Sequence, residues 1–407
     1  MNFQTTIFQT PLRVMIINPL IPASQLTITK MLKGVIFGKN QLIDLILLVY
    51  ANETQPAEEL AHELISCAFP GYNSVKVTSD LPRLSDADVF CFMTNFANPN
   101  SFDWENMDST EQFDNLYLIV KIASNFAKPY TEEEPQTNPK KKPVVPPQKP
   151  VKPLIVADGL LVIDIIHILA PNIPTDMLFC STSLRSIAKI VLSDYLKVRC
   201  WDINHSYVWA ANDLVFHAEI EMPFLKDDII SKEAKCDWNA ISQEKFEELK
   251  LEHFNFNASW MKIEFIERML ASSSTNPYGC IFKACEMSKT IHSIWKPRLL
   301  EEATAPNISL GVISDGSLGT VRGLPYVLPL IIQKDSWSVD QMFEETSHLR
   351  HEIKRINKAA IEHHQKLVPY VRKFLQDNII KQEFIPRDLD SESDSSSYSP
   401  TVASSET

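Results

Sequence analysis

The sequence predicts an α/β protein: a parallel sheet covered by helices on both faces, followed by a half that mixes helices with antiparallel strands. Short, almost unbroken apolar runs occur at 13–17, 44–49, 75–78, 88–93, 117–121 and 153–157. Strands that are apolar on both sides belong to sheets buried on both faces. Segments of helical length, Ser24 to Lys33 and Thr54 to Cys67, lie between the first of these runs, and parallel strands need such crossovers.

The remaining elements follow in chain order. Val14 to Ile17 leads through a turn, Asn18 to Ser24, into the first helix. Residues 129–153 hold eight prolines and read as a disordered or polyproline-like insert between two sheet strands. From about 175 to 340 the pattern is one of helices and antiparallel strands, including FEELKLEHFNFNASWMKIEFIERML, which reads as an extended amphipathic stretch. Residues 341–376 predict a long helix with Leu349, Ile353, Ile356, Ala360, Leu367, Val371 and Phe374 on one face. Pro369 is expected to bend it. The expected layout is an N-terminal segment (1–10), a sheet domain (11–174, with the 129–153 insert), a second domain ending in the long helix (175–380), and an acidic, serine-rich tail (381–407) that cannot form a core.

Composition excludes several classes. A net charge of −12 argues against nucleic-acid or anionic-membrane binding, which need a basic surface. Seven cysteines without a CxxC pair give neither a zinc ribbon nor a disulfide framework, and fit reduced thiols in a cytoplasmic setting. The apolar runs are too short for a transmembrane helix, and a strand starting by residue 12 leaves no room for a signal peptide. Glycine is 9 of 407 residues against a usual ~7%, four of the nine between Gly311 and Gly323. A dinucleotide-binding protein of this size normally spends several glycines where backbone approaches a pyrophosphate.

Three segments in order carry a resemblance. GVIFGKNQ (Gly34 to Gln41) resembles the loop before the second strand of cytosolic-type malate dehydrogenases. WDINHS (Trp201 to Ser206) is similar to their W-G-N-H-S active-site segment with one residue inserted. SLGVISDG (Ser309 to Gly316) resembles their S-x-G-V-x-S-D-G segment. Within the lactate/malate dehydrogenase superfamily the nearest likeness is to the divergent malate dehydrogenase 1B-like branch. The resemblance implies a Rossmann-type sheet domain, then an α+β catalytic domain, NAD as cofactor, and hydride transfer between malate and oxaloacetate.

Set on those motifs, the chemistry is missing. The family's G-A-A-G-Q-I-A turn falls on Asn18 to Ser24, so its two glycines become Asn18 and Ile21. Ile21 would fill the space of the pyrophosphate, and Pro19 and Pro22 remove two N–H donors. The acidic residue that holds the adenine ribose falls on Val49. Losing one charged hydrogen bond costs roughly 1.5–3 kcal/mol, so NAD affinity should fall by several powers of ten. The mobile loop with two substrate arginines falls on Phe96 to Phe102, Asn98 among them, and no arginine lies between Phe90 and Thr131. The D-H-N-R segment falls on Leu184 to Ile187, so the orienting aspartate becomes Leu184 and the second carboxylate clamp becomes Ile187. The N-P-A-N segment falls on Asp158 to Leu161. His205, at the proton donor/acceptor position, alone stays in register. By analogy with hydrolytic triads, losing its carboxylate partner costs about 10⁴ in turnover.

Plainer readings stand beside these. His205, flanked by Asn204 and Ser206, reads as a vestigial, structural histidine. Gly311, Ser314, Asp315 and Gly316 read as a tight turn between strands. His348, His351, His363 and His364 read as a solvated helix face with no metal, and Lys140 to Lys142 as a solvated charge run. Three functional classes follow: a catalytically degenerate interaction subunit, an active NAD-dependent malate dehydrogenase, or a metabolite-sensing module. For the first, no cofactor is expected. Its partner would be another protein, which the 1B-like resemblance suggests is cytoskeletal or axonemal in a cilium or flagellum, or a second copy in the family's homodimer.

Overall fold

The computed structural model describes residues 10–96, 98–100, 110–128, 152–196, 199–203, 206–220, 263–274, 279–299, 308–340 and 347–381. His205, Asn204, the insert over 129–151, most of the amphipathic stretch before residue 263 and the tail from 382 lie outside them.

The apolar runs become a parallel sheet. Strands β1 (Leu12–Ile17), β2 (Ile43–Leu48), β3 (Tyr72–Thr78), β4 (Val89–Phe92), β5 (Leu154–Ala157) and β6 (Leu178–Cys180) stand in the order β3-β2-β1-β4-β5-β6, all neighbours parallel. Val14 sits opposite Leu45 and Ile17 opposite Leu48. Period-2 alternation explains why these strands are apolar throughout. Val14 and Ile16 pack into the core on one face, Met15 and Ile17 into the core on the other.

Helices α1 (Pro22–Leu32) and α2 (Thr54–Ser66) occupy the expected crossovers. One expected strand is a helix. Residues 117–121 lie within α3 (Thr110–Phe126), where Leu116, Leu118, Ile119, Val120, Ile122 and Ala123 are all buried. A short apolar run has no periodicity that separates strand from buried helix; the parallel β4–β5 pair needs a crossover, and that decides it.

Beyond α4 (Leu160–Leu169) and α5 (Leu184–Leu196), the chain adds antiparallel strands β7 (Ser206–Ala210), β8 (Phe216–Ile220), β9 (Ile308–Ile313), β10 (Pro325–Ile332) and β11 (Trp337–Val339). They continue the same sheet as β6-β9-β10-β7-β8, with β11 on β10. Helices α6 (Glu264–Ser274), α7 (Cys280–Leu299) and α8 (Ser347–Leu375) complete the described elements. All seven residues of the expected apolar face of α8 are buried, and Pro369 is accommodated within the helix.

Two further expectations need correction. Gly311 is not in the turn; it lies inside β9, where a Cβ would sit 1.9 Å from Cys180 Sγ on β6. The turn glycines are Gly316, Gly319 and Gly323, all with positive φ. The histidines of α8 are not uniformly solvated. His364 Nδ1 lies 2.8 Å from Oδ1 of the fully buried Asp164 on α4, and His363 Nε2 is buried without a hydrogen-bond partner. A lone acid within the apolar α4 captures whatever cation the facing helix offers.

Candidate functional site

In an open parallel sheet, ligands bind beyond the carboxyl ends of the strands where the strand order reverses, here between β1 and β4. A cavity of about 390 Å³ lies there, lined by Asn18, Pro19, Leu20 and Ile21 after β1, Tyr50, Asn52 and Glu53 after β2, Asn95 after β4, and Asp114 and Asn115 of α3.

The β1–α1 turn keeps a glycine-like backbone without glycine. Asn18 has φ of 57°, a left-handed conformation that asparagine tolerates better than other non-glycine residues. Its amide then fills the turn, donating to the Met93 carbonyl and to Asn115 Oδ1, each at 2.9 Å. Ile21 is the N-cap of α1 without a side-chain cap, and Pro22 begins the helix. Its side chain, partly buried, faces the cavity where a pyrophosphate would need open backbone donors.

At the end of β2 Val49 is 3% exposed and packs in the core, its N–H donating to the Thr78 carbonyl. The charge next to it belongs to residues that the sequence reading missed. Glu53 accepts from the Tyr50 N–H at 3.3 Å, and Tyr50 Oη donates to the Asp114 carbonyl at 2.5 Å. Burial, and then Asp114, raise the Tyr50 pKa, so the phenol stays neutral. The lining residues include two carboxylates and no lysine or arginine. Among the described lining residues there is no glycine cradle, and Val49 offers no acceptor, while Glu53 and Asp114 supply the carboxylates at this end.

Beyond the end of β5 the chain packs on itself. Gly159 follows β5, and a Cβ there would stand 2.0 Å from the Pro99 carbonyl oxygen. The Leu161 N–H donates to that oxygen at 3.3 Å, and the Leu160 N–H donates to Asn100 Oδ1 at 3.1 Å. Asn98 turns inward on its own loop, accepting from the Asn100 N–H at 2.9 Å. Pro99 and Asn100 are thus tied down over the start of α4.

Leu184 and Ile187, at the first turn of α5, are 1% and 3% exposed and belong to the same apolar core as Leu160 and Leu161. Neither lines the cavity. Arg185 between them faces elsewhere, into a second cavity between α5 and α7.

The partners of the buried polar groups at this corner escaped the sequence reading. Asp158 accepts from the Thr94 N–H at 2.8 Å and from the Thr94 hydroxyl at 2.9 Å. Asp213 accepts from Asn100 Nδ2 at 2.9 Å and Ser183 Oγ at 3.4 Å. Lys283 Nζ donates to the carbonyls of Thr94 and Phe96. Burial raises the pKa of both carboxyls to about 6, opposed at Asp158 by Lys283 and at Asp213 by Asn100. Nothing in their sequence neighbourhoods marks them, because the partners lie far apart in the chain. With a folded pKa above the unfolded value of 3.8, each carboxyl holds its proton more tightly when folded, so stability falls as pH rises from about 4 to about 6. We expect wild type to lose of order 1–2 kcal/mol relative to Asp158→Asn between pH 4 and 7. Urea midpoints of the two proteins across that range check this; a difference independent of pH would contradict it.

Comparison with known proteins agrees with this architecture. No protein-family model matches the chain. Cytoplasmic malate dehydrogenase 3 of Arabidopsis thaliana is 23% identical over 322 residues, covering 76% of this chain and 81% of that protein. Malate dehydrogenase of Naegleria fowleri superposes with a TM-score of 0.64 at 16% identity, covering 89% of this chain and 99% of that one. Lactate dehydrogenase of Trichomonas vaginalis, solved with NADH and oxamate, gives 0.63 at 12% identity, covering 89% and 99%. Malate dehydrogenase of Plasmodium falciparum, solved with NADH, gives 0.53 at 13% identity, covering 88% and 99%. These matches bear on the lactate/malate dehydrogenase superfamily and its fold, not on the 1B-like branch.

Proposed function

We propose that this relative of the lactate and malate dehydrogenases is a catalytically degenerate protein that acts through contacts with other proteins. The observation that carries the reading is the closed corner: Leu184 and Ile187 lie in dry core while Pro99 and Asn100 sit on Gly159 and Leu160. Ile21 and Val49 support it at the cofactor end. Hydride transfer needs a bound nicotinamide and an oriented acid, and changes in the β1–α1 turn, at the end of β2, in the loop after β4 and on α5 do not compensate one another. Surface apolar groups fit the interaction role. Trp201 is 77%, Leu214 70% and Ile281 69% exposed. The partner would be another protein, cytoskeletal or axonemal if the 1B-like resemblance holds, or a second copy of this chain.

The test is direct. Purified protein should show no saturable change in NADH fluorescence at millimolar NADH, and no oxaloacetate reduction above background. Turnover that disappears in His205→Ala would overturn the proposal and restore the NAD-dependent malate dehydrogenase reading.

A second reading, a metabolite-binding module, is favoured by the 390 Å³ crevice that survives beside Glu53 and Asp114. Saturable binding of a small ligand there without turnover would support it.

A further inference from the structure

Helix α8 has two opposed faces. Its apolar residues are buried, and its remaining positions carry seven lysines or arginines against two glutamates. Arg350, Lys354, Arg355 and Lys358 are exposed along its first half, Lys366, Arg372 and Lys373 along its second. At about 100° per residue the seven cations fall within an arc of about 160°, opposite the core. From Arg350 to Lys373 the stripe runs about 35 Å, at 1.5 Å per residue.

Surface helices gain when each cation meets a carboxylate three or four residues away, and lose when like charges stand there. On α8 only two cations are so paired among the described residues. Arg355 lies 3.0 Å from Glu352 Oε2, and Lys358 4.0 Å from Glu362 Oε1. Arg350, Lys354, Lys366, Arg372 and Lys373 lie within ion-pair distance of no carboxylate among the described residues. Arg350, Lys354 and Lys358 follow one another at four-residue intervals, so each faces its own sign. An anionic partner relieves that repulsion. The stripe stands on a chain of net charge −12, which makes it a local feature and not a general basic surface.

Three kinds of polyanion meet basic stripes, and two fit poorly here. A membrane surface takes in apolar side chains beside the cations, and those of α8 are spent in the core. A nucleic acid runs on past the stripe to the acidic remainder of the molecule, which repels it. An acidic protein segment can end where the stripe ends. About ten extended residues, at roughly 3.3–3.6 Å each, span the same length, and charges further than about 8 Å away are screened at physiological salt.

We propose that the exposed face of α8 docks an extended, glutamate- or aspartate-rich segment of a partner protein. The proposal deepens the interaction reading and rests on it for its role. Its test reads α8 alone, whereas NADH binding and turnover read the crevice at the strand ends, so either can fail without the other.

A fluorescein-labelled decaglutamate peptide is the probe, followed by anisotropy on the full chain. Binding should saturate, and should weaken at least about tenfold between about 50 and 300 mM salt as screening shortens the reach of each charge. The variant Lys354→Gln/Lys366→Gln/Arg372→Gln/Lys373→Gln should bind at least about tenfold more weakly, from four exposed ion pairs lost. Lys33→Gln/Lys39→Gln/Lys76→Gln/Arg83→Gln removes the same charge from exposed positions on other elements, and should stay within about twofold of wild type. Urea midpoints of both variants should match wild type, since all eight side chains are on the surface. Equal weakening in the two variants would overturn the proposal, because net charge and not the stripe would then be responsible. So would the absence of saturable binding at the lower salt. Tighter binding of a short DNA duplex, of phosphatidylserine vesicles, or of a peptide copying residues 386–395 would also overturn it, giving the face to nucleic acid, membrane or the chain's own tail.

Discussion

Leu184→Asp, which under the proposed reading would supply an orienting carboxylate, is expected to unfold the protein rather than to activate it. Leu184 is 1% exposed and packs with Leu160, Leu161 and Ile187 in one apolar core. Removing its buried surface costs about 2 kcal/mol, and an unpaired carboxylate in that surround costs several more. A loss of about 4 kcal/mol or more is a large part of the roughly 5–15 kcal/mol that holds a native protein together. Ile187→Arg should behave alike, and the two together should not rescue each other, because the loop over Gly159 still closes the corner. Urea unfolding measures the loss, with Leu184→Met as the control that should cost less than about 1.5 kcal/mol. A Leu184→Asp/Ile187→Arg protein that folds normally and reduces oxaloacetate would show that the corner is a dormant active site and not core.

Asp164→Ala is expected to lower stability by about 3 kcal/mol, the usual cost of breaking a buried pair. Asp164 is 0% exposed, and its carboxylate meets His364 Nδ1 at 2.8 and 3.1 Å, joining α4 to α8 across 200 residues of sequence. Asp164→Asn, which keeps one acceptor, should lose about 1 kcal/mol. The penalty also depends on pH. The bond to Asp164 raises the His364 pKa above its ordinary 6.5, with burial opposing. A raised histidine contributes stability that is fully present below 6.5 and is lost as pH rises through the folded value. His167 and His363 have pKa values lowered by burial, with Asp164 the main group holding them up; without it they resist protonation further, which adds to the acid-side penalty. The gap between wild type and Asp164→Ala should therefore be wider at pH 6 than at pH 9. Thermal or urea midpoints at both values decide it, and an equal gap would mean that His364 is neutral throughout.

The sequence alone determined the elements whose cause is local. Strands β1, β2, β4 and β5 were legible because residues of both parities are apolar, which is what two covered faces demand. The α8 face was legible from 3.6-residue spacing, and the β1–α1 turn from the run Asn18 to Ser24 between a strand and a helix. The same reading singled out Ile21, Val49, Leu184 and Ile187 by residue type, which is visible without coordinates.

Tertiary structure decided what depends on pairs distant in the chain. Residues 117–121 are helical because β4 and β5 are parallel neighbours, a fact no window of five residues contains. Gly311 is a strand glycine because Cys180 lies against it. His364 is tied to Asp164, Asn100 to Asp213, and Lys283 to Thr94 and Phe96, over separations of 200, 113 and 189 residues. A residue type can be read from the sequence, but whether its place is an empty pocket or solid core depends on what packs there. Here Leu184 and Ile187 joined the core, while Arg185, one position along the same helix turn, was left facing a groove. The roughly 100° step between successive helical residues is local; only the packing of α7 and β9 determined what each of them would meet.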